Sequence, residues 1–112
     1  MLRIYEDVIE LVRELRPVLA ELAARDANLA ARDANLADQM KRALCSVPLN
    51  LAEGAMLSGG NRNLRYRTAL GSLREALACV EVGVALGELS PLEAGPRDRF
   101  EKIKATLINV VR

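Results

Sequence analysis

Residues 61–86 read NRNLRYRTALGSLREALACVEVGVAL, and the spacing of their apolar side chains decides the fold. Tyr66, Leu70, Leu73, Leu77, Val80 and Val84 recur at alternating steps of four and three, which keeps them on one stripe of an α-helix. A second series, Ala69, Ser72, Ala76, Cys79 and Gly83, runs beside it and contains only small residues. One side of the helix can therefore bury large aliphatic groups while the adjacent side lets another backbone approach, as a central helix requires.

The charges of this stretch are segregated. Arg62, Arg65, Arg67 and Arg74 lie between Gly54 and Arg74 with no acid, and Glu75, Glu81, Glu88 and Glu93 follow before Pro96 with no base. That polarity is the reverse of the one a helix macrodipole favours. Two causes can sustain it: pairing with oppositely charged ends of neighbouring helices or subunits, or docking of the arginine end on phosphates or an acidic surface.

At 112 residues the chain fits one domain with room for a core. It is rich in Ala, Leu and Val with abundant Glu and Arg, while Tyr5, Tyr66 and Phe100 are its only aromatics, a helix-forming composition. It has neither a run of eighteen apolar residues nor a charged start followed by an apolar segment, so no membrane partner is expected and a cytoplasmic setting is the default expectation. The net charge of +1 gives no global attraction to nucleic acid. No histidine is present and Cys45 and Cys79 form no CxxC pair, so neither a metal site nor a Cys/His or Ser/His hydrolytic arrangement is expected. No cofactor is expected either. Both cysteines read as small apolar residues of a reducing compartment.

The other helices follow from the same periodicity. Residues 3–22 place Ile4, Val8, Leu11, Val12, Leu15, Val18, Leu19 and Leu22 on one face, with a kink or break expected at Pro17. The heptapeptide AARDANL then occurs twice, at 23–29 and 30–36, at the connection between the first and second helices. Seven residues add reach with only about 20° of rotation. Asp26 and Asp33 can each cap a helix start, and Asp33 is the expected one, with the first copy as a tip or loose connection. Residues 34–56 form the second helix, with Leu36, Met40, Ala43, Leu44, Val47, Leu51 and Gly54 inward and Ser46, Asn50 and Glu53 along one flank. Pro48 within it should bend the helix and free the carbonyl of Leu44 as an acceptor for that flank. The third helix covers 62–86, closed by Gly87. Ser90 to Glu93 reads as a capping box cut short by Gly95 and Pro96, before a fourth helix over 97–111 with Phe100, Ile103, Leu107, Val110 and Val111 inward. The fold class is all-α, an antiparallel up-and-down four-helix bundle.

The segment RALCSVPLNLAEGA at 42–55, followed by ALGSLREAL at 69–77, resembles a bacterial four-helix-bundle family. Its members include proteins encoded in intervening sequences of large-subunit ribosomal RNA genes, and it is similar to the accessory variability determinant of diversity-generating retroelements. The strings S-[IV]-x-x-N-[IL]-A-E-G and A-x-G-S-x-x-E that mark the family appear here as Ser46, Val47, Asn50, Leu51, Ala52, Glu53, Gly54 and as Ala69, Gly71, Ser72, Glu75. The tandem AARDANL departs from the single short connection usual there. The resemblance implies a homo-oligomeric ring, commonly a pentamer, with basic surfaces that contact RNA, DNA or a reverse transcriptase, and no catalytic residues. Ser46, Asn50, Glu53, Gly54, Gly71, Ser72 and Glu75 match motif positions that look architectural.

The expected function is thus a non-catalytic oligomeric bundle that binds nucleic acid or a nucleic-acid enzyme through Arg62, Arg65, Arg67 and Arg74, with Lys41 and Arg42 beside them. That assignment comes from charge clustering rather than from the motif. The alternative is a homo-oligomeric protein–protein adaptor with no nucleic-acid role, suggested by the small-residue seam and by surplus apolar residues such as Leu49, Leu57 and Leu64. An enzyme would rest only on Glu53 beside Asn50, a pair that reads as a hydrogen-bonded structural group.

Overall fold

Pro17 has no N–H to give the Arg13 carbonyl, and the first helix breaks at that turn. In the computed structural model, which describes residues 2–28 and 35–112, the chain forms α1 (Leu2–Glu14) and α2 (Arg16–Asn28) on either side of Leu15. The bonds from Leu15 N to the Leu11 carbonyl (3.0 Å) and from Leu19 N to the Leu15 carbonyl (2.9 Å) carry the ladder across the joint. The two segments are halves of one kinked helix, which runs six residues past the expected end at 22.

The second helix, α3 (Leu36–Ala55), starts later than expected. Its N-cap is Asn35, whose Oδ1 accepts from Asp38 N at 2.9 Å, which satisfies one of the otherwise unpaired first-turn donors. Asp26 lies within α2 rather than at a helix start, while Asp33 and residues 29–34 of the repeat fall outside the described residues. α3 continues through Pro48, which is buried.

α4 (Gly59–Ala85) is the longest element, and Gly87 closes it as expected. At φ 74 Gly87 donates to the Val84 carbonyl (3.0 Å) and Glu88 N to the Gly83 carbonyl (2.9 Å), the paired bonds of a Schellman ending. The turn brings Leu89 back over Gly83, where a Cβ would lie 2.7 Å from a Leu89 methyl. No capping box forms at Ser90. α5 (Ala94–Val111) begins instead with Glu93 as N-cap, and Gly95 and Pro96 sit inside its first turn, where a missing N–H costs no helical bond.

Each helix touches its sequence neighbours, and α1 also lies against α5, so the four helical rods close into an antiparallel bundle measuring 46 × 29 × 20 Å. The core is built from all four: Val8, Leu11, Leu15 and Leu22; Met40, Leu44, Val47 and Leu51; Leu73, Ala76 and Val80; Phe100, Ile103 and Leu107. Arg99 of α5 fastens the α1 side, with Nε 2.6 Å from Glu14 Oε1 and Nη1 3.5 Å from Asp7 Oδ1. Lys102 reaches the other Asp7 oxygen at 3.4 Å.

The α3–α4 contact is the most extensive in the bundle. Gly54 of α3 admits the Tyr66 ring of α4, whose Cε1 would lie 2.7 Å from a Cβ at that position. The small seam of α4 supplies Ala69, Ala76, Cys79 and Gly83 to this packing, all buried, and Leu36 comes within 3.7 Å of a Cβ placed on Gly83. The seam read from the sequence as an assembly surface is therefore spent inside the chain.

Candidate functional site

A polar ladder runs along the edge of the α3–α4 interface. Ser72 Oγ donates to Ser46 Oγ at 2.8 Å, and Asn50 Nδ2 donates to the Ser46 carbonyl (2.8 Å) and to Ser46 Oγ (3.0 Å). Asn50 Oδ1 accepts from Arg65 Nη1 at 3.4 Å, and Arg65 Nη2 lies 3.2 Å from Glu53 Oε1. The Ser46–Asn50–Glu53 flank thus finds its partners on α4 and one turn back on α3, and not at the Leu44 carbonyl freed by Pro48. These groups are half-buried or exposed, so the ladder adds modest hydrogen bonds rather than rescuing buried atoms. Glu53 and Asn50 together orient a guanidinium, the work of a clamp between two helices.

This ladder removes Arg65 from the arginine cluster. Its guanidinium already meets a carboxylate and a carboxamide of the same chain, so it does not stand free for phosphate. Arg62 donates from Nε to the Leu57 carbonyl at 2.8 Å and lines a cleft of about 370 Å³ at the end of the bundle, with Arg3, Lys102, Tyr66 and Leu107 among its walls. Lys41 and Arg42 sit near the start of α3, which packs beside the far half of α4, as the Leu36 approach to Gly83 shows. Arg42 pairs with Asp38 at 3.4 Å, and Lys41 borders a cavity of about 460 Å³ toward α2. The six expected basic residues therefore do not form one patch.

Arg67 and Arg74 remain. Both are exposed on the outer side of α4, and among the described residues neither forms an ion pair. At 100° per residue they share one edge with Glu81, at steps of seven. Between that edge and a second one formed by Thr68, Glu75 and Val82 lies a ridge of Leu64, Gly71, Ala78 and Ala85, again at steps of seven and all exposed. Leu64 is 63% and Val82 46% exposed on this side of the helix. A Cβ at Gly71 would meet nothing within 4 Å. Gly71, a motif position, is thus dispensable for packing within this chain, and Glu75, another, takes no part in the ladder. The sequence carried the signal for this ridge in its heptad spacing, which was hidden behind the stronger small seam next to it.

The cysteines differ in setting. Cys45 is exposed on the outer face of α3, while Cys79 is buried, and burial, aided by the nearby Glu75 charge, pushes its thiol above the ordinary range. Among the described residues no group of His, Cys, Asp or Glu could hold a metal ion, and no helix is long and apolar enough to cross a membrane.

Comparison with protein-family models, with curated proteins and with solved structures finds no match for this chain.

Proposed function

We propose that this bundle is a non-catalytic assembly module that self-associates through the outer face of α4, serving as a homo-oligomeric adaptor or scaffold. The observation that supports the reading is the combination of Leu64, Gly71, Ala78 and Ala85 in an exposed heptad ridge with unpaired charges of opposite sign on its flanks. Small residues at that spacing leave room for a second helix to press close, with Leu64 at one end to bury against it. Light scattering on a sizing column from micromolar to submillimolar concentration tests it. The reading expects a mass that rises with concentration above the 12.2 kDa of one chain, and a monomer throughout would refute it.

A second reading is favoured by Arg67 and Arg74 alone, whose guanidinium groups pair with no carboxylate among the described residues. These two, with Arg62 at the bundle end, would meet RNA or DNA phosphates, in line with the family resemblance carried by Ser46 to Gly54 and Ala69 to Glu75. Anisotropy titrations of labelled RNA and DNA over a salt series separate the readings. Binding that weakens steeply with salt and disappears in Arg67→Ala/Arg74→Ala would transfer the function to nucleic acid or to a nucleic-acid enzyme such as a reverse transcriptase. Equal and weak retention by both forms would leave the assembly reading in place.

A further inference from the structure

We infer that the cleft at the bundle end binds a small amphipathic anion, a carboxylate with an unbranched apolar tail, whether or not the chain self-associates. All four helical rods contribute to it. Ile4 of α1, Leu51 of α3, Tyr66 of α4 and Leu107 of α5 form an apolar floor in which each residue is at most 8% exposed, and Val110 stands 49% exposed in the wall. Core side chains are ordinarily packed on every side by their neighbours, whereas these border an open volume of about 370 Å³. That lies within the usual range of small-molecule pockets and, at about 30 Å³ for each water-sized group, holds about a dozen non-hydrogen atoms.

The charged walls set the sign of the ligand. Three cations, Arg3, Arg62 and Lys102, line the cleft against one carboxylate, Asp7. Both Asp7 oxygens are already engaged, one by Arg99 at 3.5 Å and the other by Lys102 at 3.4 Å, so Asp7 neutralises neither of the cleft arginines. Among the described residues Arg3 and Arg62 form no ion pair. Arg62 spends its Nε on the Leu57 carbonyl at 2.8 Å, which leaves its two Nη groups for a ligand. Arg3 lies in the first turn of α1 and Arg62 in the first turn of α4, and neither turn contains an acidic residue. A cationic rim over an apolar floor favours an anion whose head stays at the rim while its tail enters.

The walls also decide what that tail is. The Thr106 hydroxyl donates to the Lys102 carbonyl at 3.0 Å, and apart from the Tyr66 hydroxyl the uncharged side chains offer no donor or acceptor. A nucleobase or sugar placed there would give up its hydrogen bonds to water without replacement, whereas an alkyl chain has none to lose. The two oxygens of a carboxylate match the two uncommitted guanidinium groups, and charge-assisted bonds of this kind are the strong ones. With about a dozen atoms in all, the tail has about nine or ten carbons, the size of decanoate.

The test titrates the full chain with sodium decanoate, kept below the concentration at which it self-assembles, and follows amide and methyl signals by two-dimensional NMR. The expected result is a saturable one-to-one response centred on Ile4, Leu107 and Val110, with a Kd of about 0.1–1 mM, as suits a ligand of this size. Acetate, which is the head alone, and decyltrimethylammonium, which carries the tail on the opposite charge, should each bind about tenfold more weakly or not at all. Arg3→Met/Arg62→Met should weaken decanoate binding about tenfold, and Thr106→Trp should block it by filling the exposed side of the cleft. Arg13→Met/Arg97→Met removes the same charge from residues outside the cleft and should leave binding unchanged. Circular dichroism of each variant shows that the helices are intact. Full affinity in both cleft variants, a response spread over the whole chain, or no saturable response overturns the site. Equal binding of decyltrimethylammonium overturns the role of the arginines, and tighter binding of octyl phosphate than of decanoate overturns the carboxylate head.

Discussion

Two glycines of the same motif set should respond to alanine in opposite directions, because the helix surroundings of one are full and those of the other are empty. Gly54 and Gly71 both lie inside helices, where replacing glycine by alanine alone is worth about 1 kcal/mol in favour of the folded chain. At Gly71 nothing opposes that gain, since a methyl there meets no atom within 4 Å. At Gly54 the methyl would sit 2.7 and 3.0 Å from two carbons of the Tyr66 ring and 3.1 Å from Arg65 Cβ. Carbon atoms rest about 3.5–4.0 Å apart, so the ring would have to withdraw by roughly 1 Å. Tyr66 is only 7% exposed, so a ring that withdraws gives up buried contacts even though it borders the cleft at the bundle end. Overpacking of this kind costs about 1–3 kcal/mol, which exceeds the propensity gain.

Gly54→Ala should therefore lose about 1 kcal/mol and Gly71→Ala should gain about as much. With a urea slope near 1–3 kcal/mol/M the two midpoints should differ by about 1 M. Urea unfolding followed by circular dichroism at the lowest workable concentration, where association contributes least, reads this directly. If Gly54→Ala raised the midpoint as far as Gly71→Ala does, the claim that Gly54 is there to admit Tyr66 would be wrong.

Other outcomes follow from the same geometry. Iodoacetamide at neutral pH should label Cys45 and spare Cys79, whose thiol is buried and held protonated above its usual range; both should react in denaturant, and mass spectrometry counts the adducts. Arg99→Met should lower stability by about 1–2 kcal/mol, measured by chemical unfolding, because it strips Glu14 and Asp7 of a shared, mostly buried partner. Asn35→Ala should cost about 1 kcal/mol through loss of the α3 N-cap, measured by urea unfolding.

Much of the fold was legible because helical periodicity is a strong signal when one face is aliphatic and continuous. The α4 stripe from Tyr66 to Val80 lies in the core, and Gly87 ends the helix, both for the reasons the sequence suggested. Helix starts were less legible. Asp33 and Asn35 are both competent caps by side-chain type and stand two residues apart, so the sequence alone does not single out Asn35, which caps α3. The Ser90 box likewise loses to Glu93, because the chain from the Schellman turn must first bring Leu89 over Gly83.

The site was legible only in part. Charge clustering singled out Arg62 to Arg74, but a one-dimensional cluster does not tell which guanidinium has a partner across the helix interface. Asn50 and Glu53 belong to α3, and Arg65 finds them only once the two helices are paired. In the same way the Ala69–Gly83 seam and the Gly71–Ala85 ridge carry similar residue types in sequence. They separate only when α3 covers the first and leaves the second in solvent.

Sedimentation equilibrium of the native chain at low and high salt tests most directly whether α4 presents a charge-matched face to its own copy. The account predicts a reversible oligomer at low salt that dissociates as salt is raised. A single monomeric mass at both salt concentrations, or an assembly indifferent to salt, would contradict it.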